Sequence, residues 1–219
     1  VRFGRRAAQE PIDGDDAVEA GETLAADVGS RADGPHDADG LDLEDDPAFA
    51  NHIDLGGLVL APPPAGVELQ LQVDEESETV LAVLLATQEG ALELRPFAAS
   101  RHGDLWSEVR PQIAAETARR GGTADEQQGP FGTELRCMVP VQTTGGASAA
   151  QPSRVIGVNG PRWFLRATLI GRPAVEEEAA KPWEDVLREL VVRRGAAAMP
   201  PGEPLEITLP PDVERPPDG

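Results

Sequence analysis

The chain has 219 residues, 39 of them acidic and 19 basic, for a formal net charge of −20. That balance argues against direct docking on a nucleic-acid backbone, where clustered Lys and Arg neutralise phosphates, and against docking on anionic lipid. The single cysteine excludes an internal disulfide framework, and no apolar run approaches the ~20 residues of a membrane-spanning helix.

Residues 1–50 hold 14 of the acids but only 4 of the bases, with few patterned apolar residues. Too little apolar surface is present to offset an ordering entropy of ~1–2 kcal/mol per residue, so the stretch reads as a disordered acidic tail. Its expected role is a solvating spacer, with Leu41, Leu43 and Phe49 as the elements that could dock on a basic partner. The first six residues are basic but lead into acids, so no secretory signal is expected, and the expected location is the cytoplasm. Val1 would fit a GTG start or a trimmed chain. Lys181 is the only lysine, which suggests a GC-rich genome.

The patterned part is expected over residues 51–210. It opens with the apolar run Leu55, Leu58, Val59 and Leu60, stopped by Pro62–Pro64. Val67, Leu69, Leu71 and Val73 alternate with polar residues, the period of a half-buried strand. Asp74–Ser77 reads as a turn, Thr79–Thr87 as a strand, Glu89-Gly90 as a turn and Ala91–Phe97 as a strand, which together predict a meander. Leu105, Val109 and Ile113 predict a helix within 104–120. Pro111 would cost ~3 kcal/mol in its interior, so a start near Ser107 or a kink is expected. Gly121-Gly122 stops it.

Thr133–Val141 alternates again, and Gly145–Pro152 reads as a loop. Arg154–Val158 and Arg162–Ile170 predict a hairpin around Asn159-Gly160. Trp163, Leu165, Ala167 and Leu169 share one of its faces. A last helix is expected to start at Pro182 and end near Arg194, with Gly195 after it. Trp183, Val186, Leu187 and Leu190 form its apolar stripe, and Leu205–Leu209 is strand-like. Strands, helix, strands, helix predict an α+β fold: a single antiparallel sheet with two main helices packed on it. Residues 211–219 are expected to form a disordered C-terminal tail.

Several segments carry a resemblance: Val67–Asp74, Leu105-Trp106-Ser107-Glu108-Val109-Arg110, Gly129–Leu135, Ile156–Arg166 and Met199-Pro200-Pro201. Together they resemble an actinobacterial domain family of unknown function, over roughly residues 50–210. The Gly160-Pro161-Arg162-Trp163 segment is the most specific part. The resemblance implies no established activity. The implied topology is also similar to the Mog1/PsbP-like sandwich, a fold used mostly for protein binding.

No motif marks a catalytic site. Cys137 sits on the inward face of its strand and reads as core, not as a nucleophile with a base beside it. His36, His52 and His102 are scattered and do not form a metal set with that cysteine. Serine elbows and phosphate-binding loops are absent, and no cofactor is expected. Glu75, Glu76 and Glu78, like Glu176-Glu177-Glu178, read as solvated runs. The candidate binding residues are Trp106 with Arg101 and Arg110, and alternatively Arg162 and Arg166, because Trp and Arg are enriched at binding hot spots. Trp106 is the exposed-anchor candidate, since it and Leu105 cannot both point the same way. The expectation is a non-catalytic protein-interaction module whose partner is another protein. The alternative is a small-ligand-binding protein or enzyme with a pocket between sheet and helices.

Overall fold

A computed structural model describes residues 34–74, 79–142 and 148–208. The strands are β1 (His36–Asp37), β2 (Ile53–Asp54), β3 (Leu58–Leu60), β4 (Glu68–Val73), β5 (Val80–Ala86), β6 (Gly90–Ala98), β7 (Thr123–Gly129), β8 (Gly132–Gln142), β9 (Ser148–Gly160), β10 (Trp163–Gly171) and β11 (Val191–Val192). The helices are α1 (Leu105–Arg119) and α2 (Glu177–Glu189), with short 3-10 turns at Pro47–Phe49 and Arg172–Ala174.

The alternating segments between residues 67 and 98 form the expected meander, and the class is α+β. The expected single sheet is not what forms. Among the described residues there are two sheets, one of seven strands in the order β4-β5-β6-β10-β9-β8-β7 and one of four in the order β1-β11-β3-β2. The physical reason lies in Leu58–Leu60 and Val191–Val192. All five of these residues are buried, so their strands need partners beneath other layers rather than at the rim of the large sheet.

Residues 34–50 also depart from expectation, because they include a paired strand and a 3-10 turn rather than a disordered stretch. β1 pairs in parallel with β11, Trp163 Nε1 donates to Asp37 Oδ2 at 2.7 Å, and Arg162 Nη2 donates to Asp39 Oδ2 at 3.0 Å. These two acids are partners of core and turn residues, a role that composition cannot reveal. Residues 1–33, the glutamates 75, 76 and 78, and residues 209–219 lie outside the described residues.

The period of two divides the large sheet into two faces. One face carries Leu92, Leu94, Leu165, Ala167, Leu169, Ile156 and Val158, all buried in the main core with Trp163. α2 closes that core with Trp183, Val186 and Leu187, as its stripe predicts. α2 begins and ends earlier than expected, leaving Pro182 in its interior and Arg193 and Arg194 beyond its end. Burial of Trp183, Val186 and Leu187 outweighs the ~3 kcal/mol cost of an interior proline.

The opposite face carries a second core of Trp106, Leu135, Cys137, Val155 and Phe164 beneath α1. α1 starts at Leu105, before Ser107, because Asp104 caps it by accepting from Ser107 N at 3.1 Å. Pro111 lies inside the helix on its exposed side. The hairpin turn differs by two residues from the prediction. Gly160 pairs with Trp163, so Pro161 and Arg162 form the loop, and Arg162 takes a positive φ of 63°. Proline followed by a positive-φ residue is the type II pattern. β7 carries no apolar alternation, and β9 begins inside the segment read as a loop. Both form because β8 supplies hydrogen-bonding edges on either side.

Candidate functional site

The α1 face of the large sheet is covered at its β7–β8–β9 end and open toward β6. Where the helix stops short of the strands, a groove of about 630 Å³ remains. Its position follows from register. Arg95 on β6 stands directly opposite Arg166 on β10, and both face α1. Arg119 and Arg120, in and just beyond the last turn of α1, form the rim. The lining therefore holds Arg95, Arg119, Arg120 and Arg166 against one acid, Glu116. On a chain of net charge −20 this is a local inversion of sign.

Three of these arginines are matched. Arg95 donates to Glu93 through Nε at 2.8 Å and Nη2 at 3.2 Å, and Nη2 also reaches Gln72 Oε1 at 3.3 Å. Arg119 and Arg120 share Glu116 at 2.6 and 3.0 Å. Arg166 is different. Its guanidinium lies over the Phe97 ring at 5.8 Å, and its buried Nε meets no acceptor among the described residues. Burial, then the charge of Arg95, pulls its pKa below the ordinary arginine value, against the opposing influence of Glu93.

Cys137 lines the same groove but is not primed as a nucleophile. Burial pushes its thiol up, the contact from Thr117 Oγ1 at 3.9 Å works the other way, and Asp125 adds to the rise. A thiolate nucleophile needs the reverse shift. Among the described residues, no group of three or more His, Cys, Asp and Glu side chains could hold a metal ion.

The predicted site residues separate. Trp106 is a correction: it is buried, 5% exposed, rather than an exposed anchor. Its ring stacks on Phe164 at 6.1 Å, and Nε1 donates to Thr133 O at 2.6 Å. Gly157 makes this possible, because a Cβ there would overlap the Trp106 ring. Leu105 packs against the same core, so the two neighbours share it after all. Arg110 covers the Trp106 ring at 5.7 Å and pairs with Glu126 at 2.8 Å. Arg101 is exposed in the turn before α1. Arg162 belongs to the hairpin turn, not to the strand, and holds Asp39. Of the five, Arg166 alone lines the groove.

Two features carried no sequence signal. Arg95 sits in an ordinary alternating strand, and only the register shows that it faces Arg166. Arg154 is 2% exposed, donating from Nε to Glu134 at 2.8 Å and from Nη1 to Glu184 at 2.6 Å. This buried cluster ties β8, β9 and α2 together on the main-core side. A second depression, of about 410 Å³ beside Trp183, has Arg172 as its cation, already held by Glu89 and Glu176.

No helix among the described residues is long and apolar enough to cross a membrane. No curated protein matches the chain. A crystal structure from Bacteroides thetaiotaomicron VPI-5482 is similar at 14% identity with a TM-score of 0.40, over 68% of this chain. The match spans 50% of that protein's length. The family match covers the packed chain from the first described residue onward: the chain belongs to the family described as protein of unknown function (DUF3710), whose model matches residues 34–216.

Proposed function

We propose that this domain works by binding rather than by catalysis, and that the α1 groove receives an acidic segment of another protein. The observation that carries the reading is the lining of four arginines against one glutamate on an otherwise acidic molecule. Complementary charge raises association rates and rejects like-charged partners. The raised pKa of Cys137 is in keeping with a groove that holds a ligand without attacking it. Cytoplasmic residence in an actinobacterium completes the reading; the arginine-rich composition supports the source alone.

The alternative is a small ligand in the same groove, favoured by a volume inside the ~300–1,000 Å³ range of ligand sites. One comparison separates the two. Tagged full-length protein and an Arg119→Glu/Arg120→Glu variant are used to capture partners from an actinobacterial lysate. The two side chains are 73% and 66% exposed, so the fold tolerates the exchange. The reading expects a stoichiometric protein partner that the variant loses and that salt weakens. Capture unaffected by the exchange overturns it, as does a retained small molecule with no protein partner.

A further inference from the structure

Arg166 stands apart in having no side-chain hydrogen bond or ion pair among the described residues; Arg194, the other arginine drawn from water without a carboxylate, donates to Ala197 O. Arg95, Arg110, Arg136 and Arg188 all meet carboxylates, whereas Arg166 meets none among the described residues. A guanidinium drawn from water without an acceptor is costly, and the positive charge directly opposite adds to that cost. Stacking on Phe97 offsets part of it. The same contact leaves a fork whose donors suit two oxygens of one anion.

Local charge selects the anion. Glu93 already neutralises Arg95, so the pair across β6 and β10 retains one net positive charge. One carboxylate cancels it. A phosphate dianion would bring a surplus negative charge close to Glu93. The hydroxyls of Ser153 and Thr168 line the same groove and can donate to the anion's outer lone pairs. The groove is an open trough along α1, with Arg119 and Arg120 at one end for further acids.

We infer that Arg166 anchors one carboxylate of an acidic peptide segment lying in the α1 groove. This deepens the binding function proposed above and rests on it. The test follows the arginine Nε–H signals of the 15N-labelled full-length protein during titration with glutarate at constant ionic strength. Chloride and inorganic phosphate serve as comparison anions. The expected result is a saturable shift at Arg166, with binding weakened about 10- to 100-fold in Arg166→Gln. Arg166→Lys keeps the charge but not the fork, and is expected to recover only part of the loss. It also serves if the glutamine variant does not fold.

A shift at Arg166 no different from that with chloride overturns the assignment, and phosphate binding tighter than glutarate overturns the choice of carboxylate. The two proposals fail separately. If Arg166 is silent while partner capture still depends on Arg119 and Arg120, the carboxylate anchor falls and the interaction groove stands. If glutarate saturates Arg166 while capture ignores the rim, the anchor stands and the peptide partner falls.

Discussion

Arg154 offers the sharpest test of how the two layers are joined. Its guanidinium is 2% exposed and bonded to Glu134 and Glu184, which are themselves 1% and 9% exposed. Arg154→Met keeps much of the side-chain volume but leaves two carboxylates in the core. Breaking a buried ion pair by removing one partner costs about 3–5 kcal/mol. Secondary partners lower that figure here: Arg136 Nη2 lies 3.0 Å from Glu134, and Arg188 Nη2 lies 3.7 Å from Glu184. The lower end of the range, about 3 kcal/mol, is therefore expected. For a protein of this size that is a fall in Tm of about 6–12 °C. Urea unfolding measured at pH 7, with the m-value compared, gives the loss directly. A loss below about 1 kcal/mol would refute the reasoning, because the cluster would then behave like an exposed ion pair.

Two further perturbations probe the α1 side. Gly157→Ala drives a Cβ into the Trp106 ring and should cost about 1–3 kcal/mol by overpacking. The loss should largely vanish in a Trp106→Ala background, which a double-mutant cycle in urea reads out. At Asp104, burial pushes the carboxyl up, but hydrogen bonds from Ser107 and Asn159, with the charge of Arg110, hold it below its ordinary value of 3.8. A depressed carboxylate contributes stability that is complete above its unfolded pKa and is lost as pH falls through the folded one. Asp104→Ala should therefore cost about 1 kcal/mol at neutral pH, with the gap from wild type closing in acid. A gap that stays constant from neutral to strongly acidic pH would contradict it.

Local order was legible where a period ran uninterrupted. Leu69 and Leu71 and the face Trp163, Leu165, Ala167 and Leu169 are where alternation places them, whereas a register shift between Gln72 and Val73 leaves Val73 51% exposed. What stayed hidden depends on pairing. β7 has the sequence Thr-Ala-Asp-Glu-Gln-Gln-Gly and no apolar face, so only its register with β8 makes it a strand. The division into two sheets depends on β3 and β11, segments far apart in the chain whose buried residues meet only in three dimensions. The burial of Trp106 is hidden from the sequence for a related reason. Two adjacent apolar residues on a helix point in different directions, but the space cleared by Gly157 lets the helix seat both.

Arg166 shows how the same physics divides stability from function. Its strand neighbours Leu165 and Ala167 point into the main core and are fully buried. Alternation therefore turns Arg166 toward α1, whatever the cost of placing a cation there. A strand built only for stability would carry an apolar residue at that position, continuous with Phe164 two residues earlier and packed against Phe97. Replacing an unmatched half-buried charge by an apolar side chain of similar volume is commonly neutral or stabilising. The chain instead keeps a guanidinium opposite a second guanidinium, and among the described residues a carboxylate meets only one of them. The acceptor that Arg166 lacks among the described residues is the feature the proposed acidic partner would provide.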